Sequence, residues 1–213
     1  MGTVRFQLAM SLDGFVAGPD QSLEQPLGAG GLRLHEWMFG LEVWRQQVGE
    51  AGGVVSPSTA VLEEVQANVG ATIMGRNMFG GGPGPWGDEP WNGYWGEDPP
   101  FRTPVYVLTH HPREPLQLGQ TTFYFVTDGA ERALTLATEA ASGKDVVIGG
   151  GADTVRQYLA AGQVDEFWLH ITPVLLGAGE RLFDGLDGIG LSQVTAVAAA
   201  QVTHLKFTVL NHR

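Results

Sequence analysis

A chain of 213 residues that is 43% hydrophobic and 16% charged can bury a full core, and at the ~100–200 residues typical of a domain it reads as a single domain over 1–213. Its 23 acidic residues against 12 basic ones give a formal net charge of −11, which excludes nucleic acid or an anionic membrane surface as the main partner, because both need clustered Lys and Arg, while a small anionic ligand in a local basic pocket stays compatible. Cysteine is absent, so there is no disulfide framework, thiolate nucleophile or Cys-based metal site; the N-terminal MGTVRFQLAM is neither signal peptide nor membrane span, and the expected location is cytoplasmic.

Residues 3–10 (TVRFQLAM) alternate as a strand with Val4, Phe6, Leu8 and Met10 on one buried face. Asp13 and Gly14 follow in SLDGFVAG, where turn chemistry alone would account for the pair. Residues 19–57 are rich in glycine and carry Trp37 and Trp44, with one helical piece over 34–47; so long a stretch reads as an excursion from the core, a lid or a partner surface. Residues 58–68 (STAVLEEVQAN) form an amphipathic helix with Ser56 or Ser58 as N-cap and Val61, Leu62 and Val65 inward. A short strand over 71–74 leads into GRNMF and sets Arg76 at a strand end, within reach of a bound phosphate, although a surface arginine is more often solvated or salt-bridged. Residues 80–101 gather Trp86, Trp91, Tyr94 and Trp95 among glycines, prolines and acids. Such rings make either a binding wall or oligomer contact, or a loop folded back on itself.

A buried strand over 104–108 (PVYVL) ends in Thr109 and His110, a strand over 123–126 and a helix over 131–141 follow, and then comes the stretch around which the chain is organised. Residues 144–158 (KDVVIGGGADTVRQY) read as a strand, three glycines (Gly149, Gly150, Gly151), and from Ala152 a helix with Val155, Leu159 and Ala160 on one face. Glycine lets the backbone turn at positive φ and approach a ligand, and the helix start aims unpaired N–H groups and the positive end of its dipole at an anion. An isolated glycine triplet is also explained as a tight turn. Strands over 163–171, 191–199 and 204–210 close the chain, the last two as a hairpin, with His170 read as a satisfied core histidine. This order predicts an α/β fold: a mostly parallel central sheet flanked by helices, with antiparallel C-terminal edge strands. Turns after Met74, Leu108 and Ile148 then share one sheet edge and suggest a dinucleotide with its pyrophosphate on the glycines and its adenosine phosphate near Arg76 and the THHPR loop. The six histidines lack metal-ligand spacing, so no metal is expected.

The collinear set SLDGFVAG, TIMGRNMF, PVYVLTHHPRE, DVVIGGGADTVRQYL and VDEFWLHITPVLLGAGERLFDG resembles the dihydrofolate-reductase-like superfamily, and within it the C-terminal reductase domain of the riboflavin biosynthesis protein RibD and its free-standing relatives. The resemblance implies NADPH as hydride donor, a mixed central sheet and frequent dimers. It implies that Gly75 and Arg76, and Thr109 and His110, face the adenosine 2′-phosphate, and that Gly149, Gly150, Gly151 and Ala152 lie under the pyrophosphate. Ala9, Val16 and Ala17 would hold the nicotinamide carboxamide through backbone groups, and Asp13 would sit near substrate and cofactor. One departure stands out: folate-reducing relatives carry a carboxylate on the helix before the GR strand, where this chain has Thr59 with Ser58 beside it. A neutral group cannot hold a pteridine by the paired hydrogen bonds of a carboxylate, which disfavours dihydrofolate reduction.

The function so implied is NADPH-dependent reduction of a small heterocyclic or carbonyl substrate, with 5-amino-6-(5-phosphoribosylamino)uracil reduction in riboflavin biosynthesis as the named example. Asp13 is the candidate to orient the acceptor or relay a proton. The zinc deaminase half of the bifunctional protein has no counterpart here, so a stand-alone reductase of another substrate is an equal expectation. The alternatives are a nucleotide-binding dimer without turnover, and a flavin or deazaflavin in place of NADPH. Strands over 164–171 and 204–210, with Phe167, Trp168, Leu169, Phe207 and Val209, are expected to be open edges that pair in a homodimer.

Overall fold

Apolar runs punctuated by glycine and turn residues set the elements of the chain, and the computed structural model describes residues 2–210. In chain order they are β1 (Val4–Ser11), β2 (Phe15–Ala17), a 3-10 turn (Gly31–Leu34), α1 (Glu36–Phe39), α2 (Glu42–Gln47), α3 (Pro57–Gln66), β3 (Val69–Gly75), α4 (Arg76–Phe79), β4 (Pro104–Leu108), β5 (Leu116–Leu118), β6 (Thr121–Val126), α5 (Ala130–Ala141), β7 (Asp145–Gly150), α6 (Ala152–Ala160), β8 (Glu166–Thr172), β9 (Glu180–Arg181), β10 (Gly190–Ala199) and β11 (Val202–Leu210). This is an α/β fold with mixed parallel and antiparallel strands flanked by helices. The chain gathers into two compact units: one holds the residues up to Phe6 with Ser22–Pro26 and Asn68–Val164, the other Gln7–Gln21, Leu27–Ala67 and the residues from Asp165 on.

In the first unit β7, β3, β4 and β6 run parallel, with Val4, Arg5 and Phe6 of β1 pairing along β7 and β5 antiparallel to β6. Ile73, Met74, Val105, Val107, Val146 and Ile148 are buried, the near-continuous apolar run that a parallel sheet covered on both faces requires. Helix α5 presents Ala133, Ala137 and Ala141, one small residue per turn, to β3 and β4. A Cβ at Gly70 would come within 2.7 Å of the Ala141 backbone, so this glycine permits the helix its close approach. Asp145 fixes the β1 register by accepting from Thr3 N (3.0 Å) and from the buried Arg5 Nε (3.0 Å). The single buried face expected for 3–10 needs correction: Arg5, Ala9 and Ser11, opposite Phe6, are buried as well, because β1 is covered on both faces.

The second unit pairs β8, β11 and β10 antiparallel, with β8 next to the Gln7–Ser11 half of β1. Helix α3 starts at Ser56, whose Oγ accepts from Ser58 N (3.2 Å) while Thr59 Oγ1 accepts from Ser56 N (3.0 Å); such a cap contributes about 1 kcal/mol. The helix buries Val61, Leu62 and Val65 against Trp168 and Leu41, with Trp37, Met38 and Trp44 packed around them. Trp37, Met38, Leu41 and Trp44 of the 19–57 segment thus join this core, while residues 20–26 and 46–55 are exposed. Lys206 on β11 ties Glu64 of α3 (2.9 Å) to Glu166 of β8 (3.1 Å).

The edge expected at 164–171 and 204–210 is also corrected. β8 lies between β1 and β11, β11 lies between β8 and β10, and the edge strand is β10. Trp168 is buried under α3, and Phe207 stacks on Phe167 at 5.3 Å. Strands β2, β5 and β9 are three residues or fewer, too short for any periodicity to announce them.

Candidate functional site

Three neighbouring parallel strands of the first unit, β7, β3 and β4, end together: Met74 lies beside Gly150, and Gly75 beside Leu108. Their turns bring Gly75, Arg76, Thr109, His110 and Gly149 to Ala152 to one sheet edge. Each glycine there has a different reason. At Gly75 a Cβ would overlap Thr154 Oγ1, so this glycine lets α6 pack on the end of β3. Gly150 has φ +129°, a backbone region that side-chain-bearing residues rarely enter. At Gly151 a Cβ would meet nothing within 4 Å, so the backbone there faces open space. Gly151 is also the N-cap of α6 and offers no side chain to cap it, so the first amides of a nine-residue helix are available to an anion. The acidic residue in that first turn, Asp153, is already neutralised by an ion pair with Arg156. At the β4 end Thr109 is buried and its Oγ1 accepts from His111 N (3.2 Å), while His110 is exposed.

Arg76 does not extend freely from its strand end. Its Nε donates to Gly80 O (3.0 Å), its Nη2 to Gly81 O (3.2 Å), and the guanidinium lies 3.1 Å from the centroid of the Trp86 ring. Nη1 is buried with no partner. Arg113 reaches the same indole at 4.9 Å, and donates to Trp91 O and to Asn92 Oδ1 (2.8 Å). Burial, and then the charge of Arg113, push the Arg76 guanidinium below its ordinary pKa; burial alone does the same to Arg113. The aromatic stretch over 80–101 thus folds back on itself, the plainer of the two expectations. Trp86, Trp91, Trp95 and Phe101 pack around Phe79 and Phe123, Trp91 Nε1 donates to Phe79 O (2.9 Å), and Trp86 Nε1 donates to His111 O (3.0 Å). Arg113 and the role of Trp86 escaped the sequence reading, because their meeting depends on a loop with no periodicity to follow.

The remaining candidates form a second group, in the second unit. Ala9 packs with Leu34 and Val174, and Val16 and Ala17 lie buried in β2, which pairs with β9. Asp13 Oδ1 accepts from Leu176 N (3.1 Å) and Oδ2 from Gly177 N (2.7 Å). Its pKa is pulled down to about 2, by the Ser11 hydroxyl first and by the Gly177 and Leu176 amides after it, against the opposing effect of burial. Both Asp13 oxygens are thus occupied by backbone amides.

The same unit holds a hydrogen-bonded chain that the sequence did not reveal. His170 is a satisfied core histidine, as read, but its partner is the cross-strand His204: Nδ1 to Nδ1 is 2.8 Å, with His170 Nε2 to Gln7 Oε1 at 2.9 Å and His204 Nε2 to Ser58 Oγ at 2.8 Å. Gln7 Oε1 only accepts, so His170 carries its proton on Nε2, His204 donates from Nδ1, and the Ser58 hydroxyl donates to His204 Nε2. At the helix position where a folate reductase needs a carboxylate, both hydroxyls, Ser58 and Thr59, are already committed.

The first group fits a phosphorylated nucleotide on three counts: an uncapped helix start, an open backbone at Gly151, and an unpartnered guanidinium donor at Arg76. Among the described residues, no group of three or more His, Asp or Glu side chains is arranged to hold a metal ion, and no helix is long and apolar enough to cross a membrane.

The family described as the RibD C-terminal domain matches residues 2–208. The uncharacterised protein YwjB of Bacillus subtilis (strain 168) is 37% identical over 81 residues, which is 38% of this chain and 44% of that relative, so the match spans less than half of its length. Among solved structures, Acinetobacter baumannii RibD superposes with a TM-score of 0.59 at 18% identity, over 99% of this chain and 58% of that one. The riboflavin biosynthesis reductase of Saccharomyces cerevisiae gives 0.56 at 13% identity, over 99% and 89%. Dihydrofolate reductase from Enterococcus faecalis, solved with NADP(H), gives 0.54 at 13% identity, over 99% and 98%. At such identities these three likenesses speak for the fold.

Proposed function

The chain belongs to the RibD C-terminal domain family, and from that premise we propose that it is an NADPH-dependent reductase of a small heterocyclic or carbonyl substrate, of the kind that reduces 5-amino-6-(5-phosphoribosylamino)uracil in riboflavin biosynthesis. The observation that carries this reading is the shared edge of β7, β3 and β4, where glycine backbone, an uncapped helix start and an arginine converge. NADPH, when bound, supplies the hydride. The protein's part is to hold and to orient. Gly150, Gly151 and Ala152 would receive the pyrophosphate on backbone amides, and Gly75, Arg76, Thr109 and His110 the adenosine phosphate. The resemblance assigns backbone groups of Ala9, Val16 and Ala17 to the nicotinamide amide. Asp13, by gripping the Leu176 and Gly177 amides, fixes the turn that accompanies them. The commitment of Ser58 and Thr59 argues against dihydrofolate as the substrate.

The test is cofactor discrimination. A charge-assisted contact to phosphate contributes about 1.5–3 kcal/mol, roughly ten- to a hundredfold in affinity. Arg76→Ala should therefore weaken NADPH by that factor and leave NADH nearly unchanged in equilibrium titrations. Equal losses for both cofactors would remove Arg76 from this role.

A further inference from the structure

The hydrogen-bonded chain through His170 and His204 ends on a side chain that the proposed function does not use. Along β1, Arg5, Gln7, Ala9 and Ser11 share one face; Arg5, Ala9 and Ser11 are buried, and Gln7 is half-buried. Gln7 lies one pleat, about 7 Å, from Ala9. The residues that cover the two are joined as well: Leu34 packs on Ala9 and accepts from Trp37 Nε1 (3.0 Å), and the Trp37 ring lies 5.3 Å from that of His170 and 5.0 Å from that of His204. The direction of the chain is set at its far end. Ser58 is buried, and among the described residues His204 Nε2 at 2.8 Å is the only acceptor for its hydroxyl proton. A buried donor left without an acceptor loses its water and gains nothing. His204 therefore accepts on Nε2, carries its own proton on Nδ1 and donates it to His170 Nδ1 (2.8 Å), which leaves the His170 proton on Nε2. Burial keeps both rings neutral at pH 7, so each has a single proton to place. The His170 Nε2–H needs an acceptor in turn, and only the carbonyl end of the Gln7 amide can supply it (2.9 Å). The Gln7 NH2 group is thereby turned away from the imidazoles, and no acceptor for it lies among the described residues.

From this we infer that Gln7 is a specificity-determining residue on the acceptor side: its NH2 group donates a hydrogen bond to a carbonyl oxygen of the acceptor. His170, His204 and Ser58 are positioning residues that hold the amide with its NH2 group outward. The inference rests on the reductase reading above, which puts the nicotinamide at Ala9, and deepens it by naming the group of the acceptor that is recognised. A ring carbonyl, as in a lactam or an imide, meets the NH2 group as acceptor to donor, whereas an exocyclic amino group at the same place sets donor against donor. The amino compound is rejected because both groups then lose water without gaining a partner.

The experiment has two parts, both on the whole chain. Long-range proton–nitrogen NMR reads the tautomers: a proton on His170 Nε2 and on His204 Nδ1 is expected, and the opposite pair overturns the inference. Titration calorimetry in excess NADP+ then compares 5,6-diaminouracil with 2,4,5,6-tetraaminopyrimidine, in which amino groups replace both ring carbonyls. Wild type should bind the uracil more tightly. Gln7→Met should lose about three- to tenfold for the uracil, the factor of one neutral hydrogen bond, and Gln7→Glu, which only accepts, should invert the preference. His170→Phe should bring the ratio of the two affinities near one, because the amide is then free to turn; a residue that served only the fold would leave that ratio unchanged. The wild-type ratio retained in Gln7→Met or Gln7→Glu overturns the inference, and the same ratio in His170→Phe overturns the positioning role. If one Gln7 variant is unfolded by circular dichroism the other decides, and if both are, the tautomers and His170→Phe decide. Wild type that binds NADPH but neither pyrimidine overturns the inference and leaves the cofactor reading intact. A wild type that prefers the uracil yet binds no NADPH overturns the reductase reading and leaves Gln7 as the residue that recognises a carbonyl ligand.

Discussion

Single positions separate backbone necessity from ligand contact most clearly in the glycine triplet. Gly150 sits at φ +129°, where a branched side chain strains the chain by about 1–3 kcal/mol whatever is bound, whereas Gly151 has an extended backbone and open space beyond its Cα. Gly151→Val should therefore keep the far-UV circular dichroism and melting temperature of the wild type and lose nucleotide binding, and Gly150→Val should lower the melting temperature. Unimpaired NADPH binding by a folded Gly151→Val protein would mean that the triplet is only a turn. The run of three glycines was visible in the sequence, but their division of labour was not, since φ angles and free volume belong to the folded chain. Arg76 was legible for the same reason as the glycines: it follows an apolar run and opens a turn. Arg113 was not, because nothing local in THHPRE tells which of its cations will meet Trp86.

At the scale of elements, the pattern of apolar residues was enough to locate β4, a continuous apolar run, and α5, β7, α6 and the β10–β11 hairpin, which are long or bounded by glycine. It failed on neighbour relations. Strands β8 and β11 carry the apolar residues of an exposed edge and yet are interior, because β10 pairs outside β11, while Leu41, Trp37 and Trp44 cover the Trp168 face beside α3. Pairing β8 with β11 also sets His170 against His204, which makes stability depend on pH. Burial first, and for His170 also the nearby His204 and His35, lowers the pKa from 6.5 to about 3 for His170; burial lowers that of His204 to about 4. The folded chain holds both rings neutral while the unfolded chain takes up protons below 6.5. Their contribution is thus complete above pH 6.5 and is lost as the pH falls towards 4 and 3, at about 1.4 kcal/mol for each unit of depression. Melting temperatures across that range should fall steeply for wild type and more gently for a His170→Gln, His204→Gln double variant. Identical profiles would show that the pair stays outside the acid transition.

For the molecule as a whole, element order was sufficient to indicate the α/β class, and the resemblance carried by its collinear motifs pointed to the family, while assembly and chemistry depend on surfaces that no local pattern describes. Among the described residues, one edge of the sheet is β10, whose Leu191 and Val194 are exposed and whose outer side has no strand partner. We propose that two copies pair there about a two-fold axis, so light scattering at micromolar concentration should give twice the chain mass and Val194→Lys should halve it. A monomeric wild type would refute that assembly. The reductase reading itself is tested most directly by following NADPH absorbance with wild type and Gly151→Val over a panel of aminopyrimidinedione, pteridine and carbonyl acceptors. Wild type should oxidise NADPH with at least one heterocyclic or carbonyl acceptor and Gly151→Val with none; NADPH that binds wild type yet stays reduced with every acceptor would contradict the reductase reading and leave a nucleotide-binding protein without turnover.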